Sequence, residues 1–103
     1  MNRTILIDIK KIPDLLQQNY QFIDLRNPSD FAREHLTKFK NIPHDSFQIE
    51  TAGIGKTMPV IFLCYTGAKS LALAKSLNEQ GYNCYSINGG YYAIMSPVND
   101  KYY

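Results

Sequence analysis

Cys64 ends Pro59-Val60-Ile61-Phe62-Leu63, a run that is apolar at every position, and opens Tyr65-Thr66-Gly67-Ala68-Lys69-Ser70, which is short, polar and glycine-containing. A thiol at the carboxyl end of a buried strand, just before a helix, sits where open α/β sheets bind ligands. If the following residues curl around the sulfur, successive backbone N–H groups form an anion nest that the helix N-terminus reinforces. Such a nest favours thiolate over thiol, Lys69 is placed to add a positive charge, and Gly67 permits the tight turn. The competing reading is a buried structural cysteine, since free cysteines are among the most buried residues. Topology alone leaves both open. Cys84 lies in a run from Asn83 to Ile87 with no loop glycine or adjacent cation, so it reads as structural.

The other chemistry-bearing residues are weaker candidates. Asp24 and Arg26 alternate along a strand and fall on one face, where they could be catalytic or structural. His35 and His44 share no ligand spacing with the cysteines, so no metal site is expected, and His35 reads as a helix-end or packing residue. Gly53-Ile54-Gly55-Lys56-Thr57 suggests a phosphate loop, but Glu50 stands where its first glycine belongs and an apolar strand follows in place of a helix. An ordinary surface turn is expected there. The eight tyrosines form no stripe with basic residues, so they read as packing. Tyr65 is the exception, lying inside the loop where it shapes the mouth.

Short apolar runs alternate with helix-period stretches, the pattern of an α/β fold with a mainly parallel sheet between helices. Strands are expected over Thr4–Ile9, Phe22–Leu25, Pro59–Leu63 and Asn83–Ile87. Ile12, Leu15 and Leu16 fall at helical spacing, with Pro13 and Asp14 suited to a first turn. Asn27-Pro28 starts a second helix, with Asp30 at its positive end; it carries Phe31 and Ala32 inward and stops near His35. A third runs from Ala68 to Gln80 with Leu73, Ala74 and Leu77 on one face and Gly81 as its left-handed cap. After a turn at Gly89-Gly90, a short helix over Tyr91–Met95 ends before Pro97, and a polar tail, Val98–Tyr103, is expected to fray.

At 103 residues, 45% hydrophobic and 19% charged, the chain suits one domain with one core, spanning 1–103. A net charge of +2 without a basic run argues against nucleic acid as a partner. No apolar stretch approaches the roughly 18 residues of a membrane helix, and the N-terminus lacks the order of a signal peptide. A cytoplasmic location without membrane association is therefore expected, where both cysteines stay reduced.

Cys64-Tyr65-Thr66-Gly67-Ala68-Lys69-Ser70 resembles the active-site loop of the rhodanese family, Cys-x-x-Gly-x-Arg-Ser. Five further stretches fit in order. Phe22-Ile23-Asp24-Leu25-Arg26 resembles the family's Asp-hydrophobic-Arg strand, and Phe31 with His35-Leu36 resembles the segment before its Gly-His-Ile. Asn41-Ile42-Pro43 resembles the next short strand, while Gly81-Tyr82 and Gly89-Gly90 match the last landmarks. The resemblance implies a three-layer fold and a sulfurtransferase in which Cys64 takes a sulfane sulfur from thiosulfate or a persulfide donor. The sulfur then passes to cyanide or to a protein or small-molecule thiol. Residues 65–70 would bind substrate, Asp24 and Arg26 would fix loops, and no metal or organic cofactor is required.

Departures from the family pattern bear on substrate. Lys69 replaces the usual Arg, keeping the charge but losing the planar fork that grips an oxyanion twice. Glu34 stands where the family has Gly, and the usual Trp near the end is missing, with Tyr92 and Ile94 nearby. The stretch from Asp45 to Met58 is short for the family's helix, so one wall of the pocket is expected to be remodelled or open, which suits a protein donor or acceptor. One alternative is a phosphatase or arsenate reductase on the same fold. Tyrosine phosphatases use Cys-x5-Arg, a position that Ser70 occupies here, and a ring one residue smaller suits a single sulfur better than a phosphoryl group. The other alternative is a sulfur-carrier or interaction module without thiosulfate turnover.

Overall fold

The computed structural model describes residues 4–95. The expected α/β architecture is present, and every strand pairing is parallel. The five strands are β1 (Leu6–Ile7), β2 (Gln21–Asp24), β3 (Lys40–Asn41), β4 (Val60–Leu63) and β5 (Cys84–Ile87), arranged in the order β1-β5-β4-β2-β3. Four helices connect or follow them: α1 (Ile12–Leu15), α2 (Pro28–Arg33), α3 (Ala68–Glu79) and α4 (Gly90–Ile94), with 3-10 turns at Ile9–Lys11 and His44–Ser46. β4 is central, and all four of its residues are buried because both faces of the sheet are covered.

Alternation along the strands divides the core into two layers. Ile61 and Leu63 of β4, Phe22 of β2 and Ile87 of β5 pack with Ile12, Leu36, Tyr91 and Ile94 on one face. Val60, Phe62 and Cys64 pack with Ile23, Leu25 and Cys84 against Ala74 and Leu77 of α3 on the other. Burying side chains of this size contributes about 1.5–3 kcal/mol each, which offsets much of the entropy of ordering the chain.

The elements differ from expectation mainly at their ends. β1 is two residues rather than six, because the Asp8 carboxylate accepts from the Lys10 amide and turns the chain into the first 3-10 helix. α2 starts as expected, with Asn27 capping the Asp30 amide at 2.9 Å, but runs only six residues. Phe31 is half-buried while Ala32 is exposed, because so short a helix at the sheet periphery buries one edge only. His35 does close that helix: its Nδ1 lies 2.7 Å from the Phe31 carbonyl and its ring stacks on Phe31. Residues 47–59 contain no helix. Phe47, Ile49 and Ile54 instead pack on the α3 face, Phe47 meeting Phe62 edge to face. Residues 53–57 form an irregular, largely exposed segment that bends from Lys56, whose ammonium lies over the Tyr82 ring. Pro97 and the tail at Val98–Tyr103 lie outside the described residues.

Candidate active site

β4 ends at Leu63 and α3 begins at Ala68, so four residues, 64–67, make the whole connection. Gly67 makes this turn feasible at φ +97°, a left-handed conformation that side chains resist. Its amide then points back at the sulfur. The N–H groups of Gly67 and Ser70 donate to Cys64 Sγ at 3.1 and 3.3 Å, and the Ser70 hydroxyl lies 3.3 Å from the same atom. Three polar hydrogens can therefore converge on Sγ when it carries charge, the arrangement expected of an anion nest at a helix N-terminus.

α4 holds the loop from behind. The Tyr91 amide donates to the Cys64 carbonyl at 2.8 Å and the Tyr92 amide to the Tyr65 carbonyl at 3.0 Å. These bonds require the start of α4 to lie directly against the loop, and Gly90 permits it: a Cβ there would sit 2.6 Å from both carbonyl oxygens. The glycine pair first read as a turn is thus a contact surface for the site.

Asp24 and Arg26 lie on the face opposite Cys64 and hold the frame. Asp24 accepts from the Arg26 guanidinium at 2.9–3.1 Å, and the same guanidinium donates to the Glu34 carbonyl at 2.8 Å and lies 3.6 Å from the Tyr91 ring centroid. Burial works against the Arg26 charge, but the hydrogen bond and the charge of Asp24 outweigh it and hold its pKa above the ordinary value. One buried ion pair thereby joins β2, the end of α2 and α4. Glu34 needs no glycine at its position because its backbone is extended, at φ −166°. Its carboxylate accepts from the Tyr91 hydroxyl at 3.2 Å.

Cys64 is only 3% exposed, yet it forms the floor of a cleft of about 430 Å³. Tyr65, Thr66, Ala68 and Lys69 line this cleft. Gly67 and Ser70 are buried behind it. Lys69 is exposed at the mouth and has no ion-pair partner among the described residues. Pro43, His44 and Asp45 supply the facing wall. In the sequence, His44 stands out only as a histidine without a ligand partner. Its place follows from β3 pairing with β2, which no local pattern near His44 records.

Tyr65 is anchored rather than free. Its hydroxyl donates to the Asp30 carboxylate and accepts from the Asn27 amide, at 3.2 Å for the latter, so the loop is tied to the first turn of α2. The Tyr65 hydrogen bond holds Asp30 below the usual carboxylate range, with burial opposing and Arg33 assisting. Burial and the same bond push Tyr65 above the usual tyrosine range. The signs follow by linkage. Asp30 contributes stability above the ordinary carboxylate value that is lost as pH falls through its depressed one. Tyr65 contributes stability below the ordinary tyrosine value that is lost as pH rises through its raised one. The difference in melting temperature between wild type and Tyr65→Phe should therefore be largest near neutral pH and shrink toward both extremes. A difference independent of pH, measured by thermal melts across that range, would show that the Tyr65–Asp30 bond does not carry the effect.

A parallel sheet whose central strand delivers a cysteine to a tight loop at a helix N-terminus is the architecture of the rhodanese-like domain, and the chain belongs to that family. Residues 8–96 match the model of the rhodanese-like domain. Among individual relatives, the chain is 34% identical over 93 residues to the thiosulfate sulfurtransferase GlpE of Tolumonas auensis, covering 88% of each. It is 30% identical over 90 residues to the protein of the same name from Pseudomonas fluorescens, covering 82% of this chain and 83% of that one. The fold is similar to that of a rhodanese-like domain protein from Staphylococcus aureus, with a TM-score of 0.78 at 20% identity, over 89% of this chain and 92% of that one. A rhodanese-related protein from Thermoplasma volcanium matches at the same score and identity, over 99% and 96%.

Proposed function

We propose that this protein is a sulfurtransferase that carries a sulfane sulfur as a persulfide on Cys64, with thiosulfate or a persulfide as donor. The observation that carries this reading is the convergence of two backbone N–H groups and one hydroxyl on a sulfur at the floor of an open cleft. The Cys64 thiolate attacks the outer sulfur of thiosulfate; a sulfur–sulfur bond forms, the bond to the sulfonate sulfur breaks, and its electron pair leaves with sulfite. Cyanide or a thiolate then attacks the outer sulfur of the persulfide, and Sγ departs with the electron pair as thiolate. Thiocyanate or a new persulfide is released, and the enzyme returns to its starting state. The amides serve both steps because they face a centre whose charge falls and then returns.

Intact mass tests the reading. Thiosulfate should add the mass of one sulfur atom, and cyanide should remove it. A protein that gains sulfur from a small persulfide but neither takes it from thiosulfate nor yields it to cyanide would be a carrier module instead. A mass unchanged by either donor would refute sulfur transfer.

Lys69 supplies the only loop cation, as a point charge on a flexible stem at the cleft mouth. Lys69→Met should raise the KM for thiosulfate several-fold and flatten its dependence on salt, since exposed charges are screened. Lys69→Arg should lower KM below wild type, because a planar fork can hold two sulfonate oxygens at once. Steady-state kinetics at two ionic strengths decide this. If all three proteins respond alike, the ammonium takes no part in donor capture.

A further inference from the structure

We infer that Ser86 is a positioning residue for sulfur discharge: from β5 it fixes the Ser70 hydroxyl on Cys64 Sγ and so makes Sγ a better leaving group. This rests on the persulfide reading above. Ser86 and Ser70 are both fully buried, at 0% exposure, and their hydroxyl oxygens are 2.6 Å apart. Ser86 belongs to a strand flanked by apolar neighbours, its register partners being Phe62 on β4 and Leu6 on β1. A hydroxyl in such a place costs free energy unless bonded, and a valine there would fit the sheet better. The main partner available to it is the one hydroxyl that touches the reactive sulfur.

Counting hydrogens gives the pair a direction. Ser70 Oγ lies 3.3 Å from Cys64 Sγ and 3.2 Å from the Gly67 carbonyl, which Ser86 Oγ reaches only at 3.5 Å. That carbonyl already accepts the Leu71 amide at 3.0 Å. When Sγ is a thiolate, the Ser70 hydrogen is drawn to it, and Ser86 completes the chain by donating to Ser70 Oγ. Each donor is then used once, and the second bond polarises the first. When Sγ carries the outer sulfur, the negative charge moves outward and the Ser70 hydrogen can turn to the Gly67 carbonyl. The relay therefore supports Sγ most as a thiolate, the form it regains when the acceptor removes the outer sulfur. Without Ser86, Ser70 keeps Gly67 as an alternative acceptor and loses the group that biases it toward sulfur.

The effect should separate the half-reactions. Ser86→Ala should slow persulfide discharge to cyanide by about three- to tenfold, the range expected for weakening one hydrogen bond to a charged group. It should not slow loading from thiosulfate, in which Sγ loses charge. The experiment follows single turnovers: sulfite release on loading, and thiocyanate release from preloaded protein, for wild type, Ser86→Ala, Ser70→Ala and the double variant. Ser86→Ala should have no further effect once Ser70 is alanine. Ser86→Thr, which keeps the hydroxyl and suits a strand, should discharge at the wild-type rate, and it provides the comparison if the alanine variant folds poorly. Equal slowing of both half-reactions, an unchanged discharge rate, additive effects with Ser70→Ala or slow discharge in Ser86→Thr would each overturn the assignment. A wild type that forms no persulfide would instead remove the reading on which it rests.

Discussion

Cys64→Ser should gain no sulfur from thiosulfate and should lose at least about a thousandfold in turnover, because a hydroxyl neither ionises near neutral pH nor attacks sulfane sulfur as a thiolate does. The fold should survive. The substitution changes one atom, and the Gly67 and Ser70 amides that donate to Sγ can donate to a hydroxyl oxygen. Intact mass and melting temperature, measured on the same preparation, check both halves. Cys84 is a poor substitute nucleophile: it is fully buried, and on β5 it pairs with Val60, four residues before Cys64 on β4. At roughly 3.3 Å per residue, the two thiols are about 13 Å apart along the strands. A retained mass gain in Cys64→Ser would move the chemistry to another residue and discard the site described above.

The second large effect lies outside the loop. Gly90→Ala should lower kcat/KM by about a hundredfold or more, although residue 90 need never touch substrate. Its added Cβ would lie 2.6 Å from the Cys64 and Tyr65 carbonyl oxygens and 2.7 Å from the Gly67 nitrogen, all backbone atoms that cannot swing aside. The backbone at Gly90 also has φ +63°, which adds strain for any side chain. Relief requires α4 and the loop to move apart, which breaks the Tyr91 and Tyr92 amide bonds and misaims the amides at Sγ. A displacement approaching 1 Å at a reacting centre is enough for a loss of this size. Gly81→Ala is the control. It has φ +97°, but its Cβ would meet only the Lys56 side chain, away from Cys64. It should cost about 1–2 kcal/mol of stability and leave kcat/KM unchanged. Wild-type sulfur loading by Gly90→Ala would mean that the loop tolerates displacement and that its geometry does not set the rate.

The sequence was enough to determine what local chemistry and periodicity dictate. A short all-apolar run bounded by Pro59 and a polar loop reads as a strand covered on both faces, and β4 is one. Asn27-Pro28 must open a helix, because the amide-capping side chain and the ring without a donor fit nowhere else as well. Gly67 marks a turn, and the spacing from Cys64 to Ser70 fixes which amides can reach the sulfur. These features depend on neighbours within one or two turns of chain. What the tertiary structure decided are contacts between residues distant in sequence. β5 lies beside β4, so Ser86 stands behind Ser70 across 16 positions of chain. α4 returns beneath the loop, so Gly90 meets Cys64. The pairing of β2 with β3 brings His44 to the cleft wall. The short β1 and the outward Ala32 belong here too, since edge strands and one-sided helices are set by what covers them rather than by their own pattern. Local rules set the place of Cys64 and its turn; strand order, which no stretch of the chain encodes by itself, brought the groups that hold it.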